Sequence, residues 1–420
     1  MNYIRLFVCL ILSCLCSFAF AVNDAPADAD TVTLRTNCYE KSGAVEIANC
    51  FTSMDMVDNW LRTVRFAGPN KPTLVDIGPG TFGGWQCHSS NVTLRGSGRD
   101  QTTLQVSLTS AGAGIWIQAG CTNLNVQDLR VDGRGMGLWG VGVNNLEAIT
   151  FWTNVEIFGP LYAWVESLPG FGACPSNNGR HYWFSSRIVA TGNTATFTGT
   201  SRAYTAACAQ SWFFGSQLEA NVNSNERNGF AIEAHKAEVH LYGSNARLIL
   251  ASNTTASSFG GSSGTGHYLM AALQGSAIHI HGTGLDVVHN GTGTADVLYA
   301  DSDSQTHFHA NEAAFSIHVT GTGKVQRLAG PGADAGRIEA PYGWGPKTQP
   351  PLSTNASGLG TLISRTGADT YVETDCPMTG NCGAPGSGTY PHMMIYSASC
   401  TGTAANQGPW FDLVTRSCRQ

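Results

Sequence analysis

Three histidines recur at one spacing in the second half of the chain, since His240, His279 and His318 are each 39 residues apart. Each lies between apolar neighbours, in the phrases VHLYGS, IHIHGT and IHVTGT. Alternation of apolar and polar residues is typical of a strand with one buried face, so the three imidazoles should point outward on the same face. If 39 residues form one coil of a stacked fold, neighbouring imidazoles lie about 5 Å apart; if they form two coils, about 10 Å.

Further titratable side chains near these histidines complete a candidate catalytic set. Imidazoles and carboxylates together can supply a general acid and a general base near neutral pH. Identical side chains also stack in repeating folds for structural reasons alone. The patch can therefore be either a catalytic site or a purely structural ladder, and both interpretations stay open. The candidate catalytic residues are His240, His279, His281, His318, Glu233, Asp301, Asp303, His307 and His309.

Two reactions on sugar polymers suit this set of residues. β-Elimination from a uronic acid needs one group to neutralise the carboxylate, one to take a proton and one to protonate the leaving oxygen. His, Arg, Tyr or a bound Ca²⁺ can fill these roles. Hydrolysis instead needs two carboxylates at a set separation, and Asp301, Asp303 and Glu233 are the candidates.

Metal binding is a separate question raised by two His-x-His pairs. His279 with His281, and His307 with His309, each share a strand face and could hold a transition metal. No CxxC or CxxH spacing suggests zinc. We expect no resident metal or other cofactor, with Ca²⁺ as the open alternative.

A second polar cluster lies at residues 180–187, RHYWFSSR. Arginine binds a sugar carboxylate bidentately and aromatic rings can stack on sugars, so these residues are candidates for substrate binding. In the alternative interpretation Trp183 and its neighbours pack in the core and the arginines are solvated. The candidate substrate-binding residues are Arg180, His181, Tyr182 and Arg187.

The elements that must position these residues are short alternating runs separated by Gly or Asn turns, beginning at residue 73. The chain has 420 residues, of which 50 are Gly, and only 12% are charged, against about 25% in a typical globular protein. Closely spaced strands with almost no helical pattern between them predict a solenoid of stacked coils. One helical pattern precedes them, with Val57, Trp60, Leu61 and Val64 on one face.

The opening coils resemble the pectin-lyase-like right-handed parallel β-helix superfamily. The resemblance rests on residues 74–82 (LVDIGPGTF), 91–98 (NVTLRGSG) and 102–104 (TTL), after an amphipathic helix that would cap the first coil. It is good over residues 55–160, fades to a general coil-like texture up to about residue 345, and does not cover the tail. It implies an all-β parallel β-helix with an N-terminal capping helix. The catalytic motifs of the hydrolases, epimerases, methylesterases and pectate lyases of this superfamily are absent from the sequence.

The chain divides into four parts on composition. Residues 1–21 resemble a secretory signal peptide; 22–72 form an N-terminal cap; 73–345 form the β-helix; and 346–420 form a cysteine-containing cap or tail. Ten of the 13 cysteines follow the signal, and an even number in an exported chain predicts disulfides. We expect Cys38–Cys50, Cys87–Cys121 and Cys174–Cys208, with pairing among Cys376, Cys382, Cys400 and Cys418.

These features together predict a secreted, carbohydrate-active protein whose partner is a polysaccharide. A net charge of −6 argues against nucleic acid, and no run after the signal is long enough to span a membrane. Whether the chain is an enzyme is left open. The leading hypothesis is a lyase acting on a uronic-acid polymer by β-elimination. The alternatives are a non-catalytic polysaccharide-binding or surface protein and a glycoside hydrolase.

Overall fold

Three long parallel β-sheets, here S1, S2 and S3, are visited by successive strands in a fixed order. The computed structural model describes residues 25–39, 47–106, 112–134, 139–166, 174–192, 200–223, 228–252, 254–256, 266–301, 304–308, 314–320, 324–328, 337–339 and five strands between 361 and 419. From Thr73 to Leu328 each coil contributes a strand to each of the three sheets, and crossovers between parallel strands are right-handed. The fold is therefore the right-handed parallel β-helix predicted from the sequence.

Within the described residues, the strands of each sheet follow one another along the helix axis. S1 has twelve strands: Cys50–Phe51, Thr31–Leu34, Thr73–Ile77, Val92–Arg95, Asn123–Gln127, Ile149–Thr153, Arg180–Phe184, Gln210–Phe214, Glu238–Tyr242, Ala277–His281, Gln305–Phe308 and Arg337–Glu339. S2 has nine: Gly80–Gly83, Thr102–Gln105, Arg130–Asp132, Glu156–Gly159, Arg187–Ala190, Gln217–Val222, Asn245–Leu250, Gly284–His289 and Ala314–Val319. S3 has ten: Trp85–Cys87, Ala113–Ile117, Trp139–Val143, Tyr162–Glu166, Thr200–Ala207, Asn228–His235, Gly266–Leu273, Thr292–Ala300, Thr255–Ala256 and Lys324–Leu328.

The core fills the space between the three sheets because alternate residues of each strand point inward. In Glu238–Tyr242, Val239 and Leu241 are fully buried while the residues between them are half-buried on the outside. The widest side chains meet inside the middle coils, where Trp152 and Trp183 stack at 5.1 Å between ring centroids. Trp164 packs edge-on against both rings.

The corner between S1 and S2 is a sharp turn that the sequence repeats from coil to coil. One residue there has a left-handed backbone, as at Ser185 with φ 49°, Gly215 with φ 57° and Gly243 with φ 53°. The next residue is a buried hydroxyl, and these hydroxyls link neighbouring coils. The Ser216 backbone N–H donates to Oγ of Ser244 at 3.1 Å, and one coil earlier a serine N–H donates to Oγ of Ser216 at 3.2 Å. This ladder fixes where these S1 strands end.

The capping helix predicted from the sequence spans Met54–Trp60 and begins at Ser53, whose Oγ accepts a hydrogen bond from the Met56 backbone N–H. Val57, Trp60 and Leu61 are buried in the main core, as predicted. Val64 is instead 36% exposed. The helix continues as a π-helical turn, Leu61–Arg65, and the wider turn takes Val64 off the apolar face.

Three disulfides join Cys38 to Cys50, Cys87 to Cys121 and Cys174 to Cys208, as the sequence predicts. The signal segment 1–21 and most of the tail's four cysteines lie outside the described residues, so the processing of the signal and the pairing of these cysteines stay predictions, as do the domain boundaries.

None of the helices in the described residues has the length and apolar composition needed to span a bilayer. A separate antiparallel sheet comprises Thr361–Arg365, Asp369–Val372, Met393–Tyr396, Trp410–Asp412 and Ser417–Arg419.

Candidate functional site

The outer surface of S1 carries two columns of aromatic rings, which we call the aromatic face. The first column lies at the middle of the strands, where successive ring centroids are 4.9, 4.8, 5.6 and 4.4 Å apart. Its members are Phe151, Tyr182, Trp212, His240 and His279. The aligned register of the parallel strands places these rings one above another, as the short coil spacing requires.

The second column lies two residues further along each strand, next to the corner with S2. Phe184 and Phe214 stack at 5.1 Å, Phe214 and Tyr242 at 5.1 Å, and Tyr242 and His281 at 4.3 Å. Because the rings stack face to face, both faces of each ring inside a column meet neighbouring rings, and only the edges of these rings remain for a ligand. Trp212 is therefore outward but is not an open platform for stacking a sugar ring.

A carboxylate joins the first column at its histidine end, forming a cluster of Glu238, His240 and His279. Oε1 of Glu238 lies 3.0 Å from Nε2 of His240 and 3.4 Å from Nε2 of His279. The other carboxylate oxygen accepts a hydrogen bond of 2.8 Å from the Gln210 side chain. The Glu238 side chain is 37% exposed, so the cluster is open to solvent.

The charge of Glu238 is favoured by these neighbours. Partial burial opposes ionisation, but the hydrogen bond from Gln210 and the imidazoles of His240 and His279 outweigh it and hold the pKa of Glu238 below its usual value. Glu238 is therefore a carboxylate at neutral pH. It can stabilise a positive charge on either imidazole beside it.

A cleft of about 400 Å³ opens beside this cluster, at the corner where S3 strands pass into S1. Lys236, Glu238 and His279 line it together with Asn178, Gln210 and Gln305. It thus brings an anion, a cation and an imidazole to one opening.

Glu233, a predicted catalytic residue, lies apart from this cleft on S3. It is 3% exposed and forms an ion pair with Arg202, and its Oε1 lies 3.2 Å from Nε2 of His235. Burial opposes its charge, but Arg202 and His235 hold the pKa of Glu233 below its usual value. The Arg202 guanidinium lies over the ring of Phe230, 5.0 Å from its centroid. This cluster has the burial and pairing of a structural ion pair.

The expected outward row of His240, His279 and His318 holds only for the first two. Coils differ in length, since 39 residues separate His240 from His279 but 28 separate His279 from His307, which is its register partner on the next coil. A further 39 residues therefore carries the chain past S1, and His318 lies on S2 opposite Val288. His281 shares the outer face of His279, as alternation predicts.

One further candidate, Asp301, lies at the end of a coil. Asp301 accepts a hydrogen bond from the backbone N–H of Gln274 and so closes a turn between S3 and S1. Asp303 and His309 lie outside the described residues. The structure thus brings His240, His279 and His281 together on S1 and places Glu233, Asp301 and His318 elsewhere.

The four predicted substrate-binding residues point in different directions. His181 is fully buried inside the β-helix, where Nδ1 is 2.8 Å from the Thr150 hydroxyl and Nε2 is 3.1 Å from Oε1 of Glu166. A polymer outside cannot touch it, because alternation along the strand turns its side chain inward. Tyr182 lies in the aromatic face and Arg180 is exposed beside it. Arg187 lies on S2 and pairs with Glu156 at 2.9 Å.

Sequence reasoning missed Glu238, Gln210 and Lys236. The signal for Glu238 was present, because it lies two residues before His240 and alternation puts both on one strand face. Gln210 and Lys236 could not be found in this way, since Gln210 belongs to the preceding coil and Lys236 to the corner. Their proximity depends on coil lengths that the sequence does not reveal.

No known protein-family profile matches this chain, and no curated protein sequence matches it. Among solved structures it is similar to a pectin methylesterase in complex with a hexasaccharide, with 10% identity and a TM-score of 0.39 over 68% of this chain and 92% of the other. It is also similar to ORF18 of Geobacillus virus E2, with 10% identity and a TM-score of 0.35 over 91% of this chain and 76% of the other. These likenesses are too distant to support a function, and the fold rests on the strand register itself.

Proposed function

We propose that this protein is carbohydrate-active and cleaves a uronic-acid polysaccharide by β-elimination at the Glu238 cluster. The observation that carries this proposal is the opening of Glu238, His279 and Lys236 into one cleft on the outer face of S1. An elongated scaffold with a cleft on its side suits a long polymer. The cleft's imidazole, carboxylate and ammonium groups match the requirements of elimination next to a carboxylate.

Each residue has a distinct role in this mechanism. Lys236 pairs with the sugar carboxylate, which makes the proton on the adjacent carbon more acidic. His279 takes that proton, and Glu238 stabilises the imidazolium that forms. The electrons of the broken C–H bond form a double bond as the glycosidic C–O bond breaks. The same imidazolium then returns its proton to the leaving oxygen. His240 and Gln210 hold Glu238 in place.

Hydrolysis is less well supported by this geometry. It requires two carboxylates flanking the scissile bond. Among the described residues that line the cleft, Glu238 is the only carboxylate. Two of the carboxylates predicted from the sequence lie elsewhere: Glu233 pairs with Arg202 on S3, and Asp301 accepts a hydrogen bond from the backbone of a turn.

A second candidate function is polysaccharide binding without cleavage. The aromatic face favours it, since its rings continue over several coils beyond the cleft. Its edges provide indole, phenol and imidazole groups that can form hydrogen bonds with sugar hydroxyls. In either case we propose an exported protein, because three disulfides form and persist in oxidising compartments.

The test is incubation of the purified protein with a panel of uronic-acid and neutral polysaccharides, with and without Ca²⁺. β-Elimination gives products with an unsaturated end, which absorb in the ultraviolet and lack one water in mass relative to hydrolysis products. Unsaturated products from an acidic polymer are the expected result. Saturated reducing ends would show hydrolysis and refute the lyase. Retardation in polymer-containing gels without any product would favour the binding protein.

A further inference from the structure

We propose that Glu238, His240 and His279 form a binding site for a divalent transition-metal ion such as Zn²⁺. The three side chains offer one carboxylate oxygen and two imidazole nitrogens that all lie within 4.8 Å of one another. All three are half-buried, so an ion can enter from solvent while the strands hold the ligands. This inference concerns metal binding and does not depend on elimination chemistry.

The ligand spacing suits one shared ion. Zinc binds imidazole nitrogen at about 2.0–2.1 Å and carboxylate oxygen at about 2.0–2.2 Å, so neighbouring ligands of one tetrahedral ion lie about 3.3 Å apart. Oε1 of Glu238 lies 3.0 Å from Nε2 of His240 and 3.4 Å from Nε2 of His279. An ion that replaces the proton between these atoms needs little movement of the carboxylate.

The two imidazole rings must turn to share the ion. They stack with 7° between their planes and 4.4 Å between their centroids. A bound ion lies in the plane of each ring, so the rings of His240 and His279 must tilt toward one another. The terminal torsion of histidine is broad, so the torsion itself allows this rotation, and bonds to the ion replace the stacking contact that the rings lose. The strand register keeps the two residues opposite each other throughout.

The ligand types select the class of metal. Imidazole suits Zn²⁺, Cu²⁺ and Ni²⁺, whereas Ca²⁺ takes about six to eight oxygen ligands. Three protein ligands leave a position open toward the cleft. The site also differs from the His-x-His pairs considered above, because side chains two residues apart on one strand are separated by about 6.6 Å. Opposite residues on adjacent coils are closer.

The experiment is calorimetric titration of untagged, metal-free protein with Zn²⁺, without polysaccharide. We expect one Zn²⁺ ion to bind at the cluster in each protein molecule. Its affinity should be at least about tenfold weaker in Glu238→Gln and in His279→Ala. The matched controls are His281→Ala, an imidazole on the same face, and His318→Ala, an imidazole on S2; both should bind as the wild type does.

Two further results bear on the proposal. Co²⁺ bound to the wild type should give visible absorption bands of low coordination number, which Glu238→Gln should alter while its circular dichroism spectrum stays native. No Zn²⁺ binding by the wild type would overturn the proposal. So would binding that survives Glu238→Gln but is lost in His281→Ala. Because no polymer is present, the titration can succeed whether or not the protein is a lyase.

Discussion

Glu238 is the residue on which the proposed chemistry depends, because its carboxylate lies beside the imidazoles of His240 and His279. Glu238→Gln keeps the shape of the side chain but removes the charge that stabilises the imidazolium. We expect kcat for polymer cleavage to fall about a hundredfold, within the usual range for acid–base catalysis. Initial rates at saturating polymer would measure this. A variant with wild-type kcat would show that the carboxylate takes no part.

Glu233 should affect stability instead of activity. Glu233→Gln leaves the half-buried Arg202 without its counter-charge, so we expect the free energy of unfolding at neutral pH to fall by about 3 kcal/mol. The folded-state pKa of Glu233 is lowered, so its charge stabilises the fold above the unfolded-state pKa, and this stabilisation is lost as pH falls through the folded-state pKa. The difference between wild type and variant should therefore shrink below about pH 4.3.

Urea unfolding of both proteins over a pH series would measure that difference. A difference that stays constant from neutral to acidic pH would contradict the ion-pair account of Glu233.

The site was predictable from the sequence only where it depends on local alternation. Alternation correctly put His240, His279 and His281 outside and their apolar neighbours inside. It did not locate His318, because that step needs the length of a whole coil. The same local rule would have put His181 inside, opposite the face of Tyr182. Contacts such as Gln210 with Glu238 depend on register between coils, which local patterns do not encode.

At the scale of elements, the capping helix covers one end of the core through Val57, Trp60 and Leu61. Val57→Asp would put a charge into that core and loosen the helix, exposing apolar surface of the first coil. We expect soluble aggregates by size-exclusion chromatography with light scattering. Asn59→Asp adds the same charge on the exposed side of the same helix and should remain monodisperse relative to wild type. Equal behaviour of the two variants would refute the capping role.

The aromatic face is held by the repetition of S1 strands, so one ring should matter to its neighbours. Trp212 stacks between Tyr182 and His240. Trp212→Ala removes both contacts, and we expect a loss of about 1–3 kcal/mol in unfolding free energy, because each aromatic pair contributes about 0.5–1.5 kcal/mol. Chemical denaturation would measure it. No change in stability would mean that the stack is incidental.

The turns of these elements could be predicted from the sequence because they depend on local residue types. The disulfides could be predicted because the number of cysteines after the signal is even. Short alternating runs between Gly and Asn turns marked the coils, and an even cysteine number marked the disulfides. The π-helical turn that exposes Val64 was not readable, because the periodicity of a regular helix was assumed. Which strand joins which sheet also needed the three-dimensional register.

At the scale of the whole molecule, the disulfides restrict the unfolded chain. Cys87 and Cys121 are 34 residues apart, and closing a loop of that size stabilises a fold by about 3–4 kcal/mol in the chain-entropy estimate. Replacing both by serine should lower the melting temperature by several degrees, without removing the circular dichroism signal of the strands. Calorimetry of the variant and of reduced wild-type protein would measure the effect. An unchanged melting temperature would contradict it.

Polymer cleavage at the cleft beside His279 is what we propose for this protein. The most direct measurement compares the rate of ultraviolet-absorbing product from an acidic polysaccharide for wild type, His279→Ala and His318→Ala. We expect cleavage by wild type and by His318→Ala, whose lost imidazole lies on S2. We expect a loss of about a hundredfold or more in His279→Ala. Equal rates for the two variants, or no cleavage of any acidic polymer by the wild type, would contradict it.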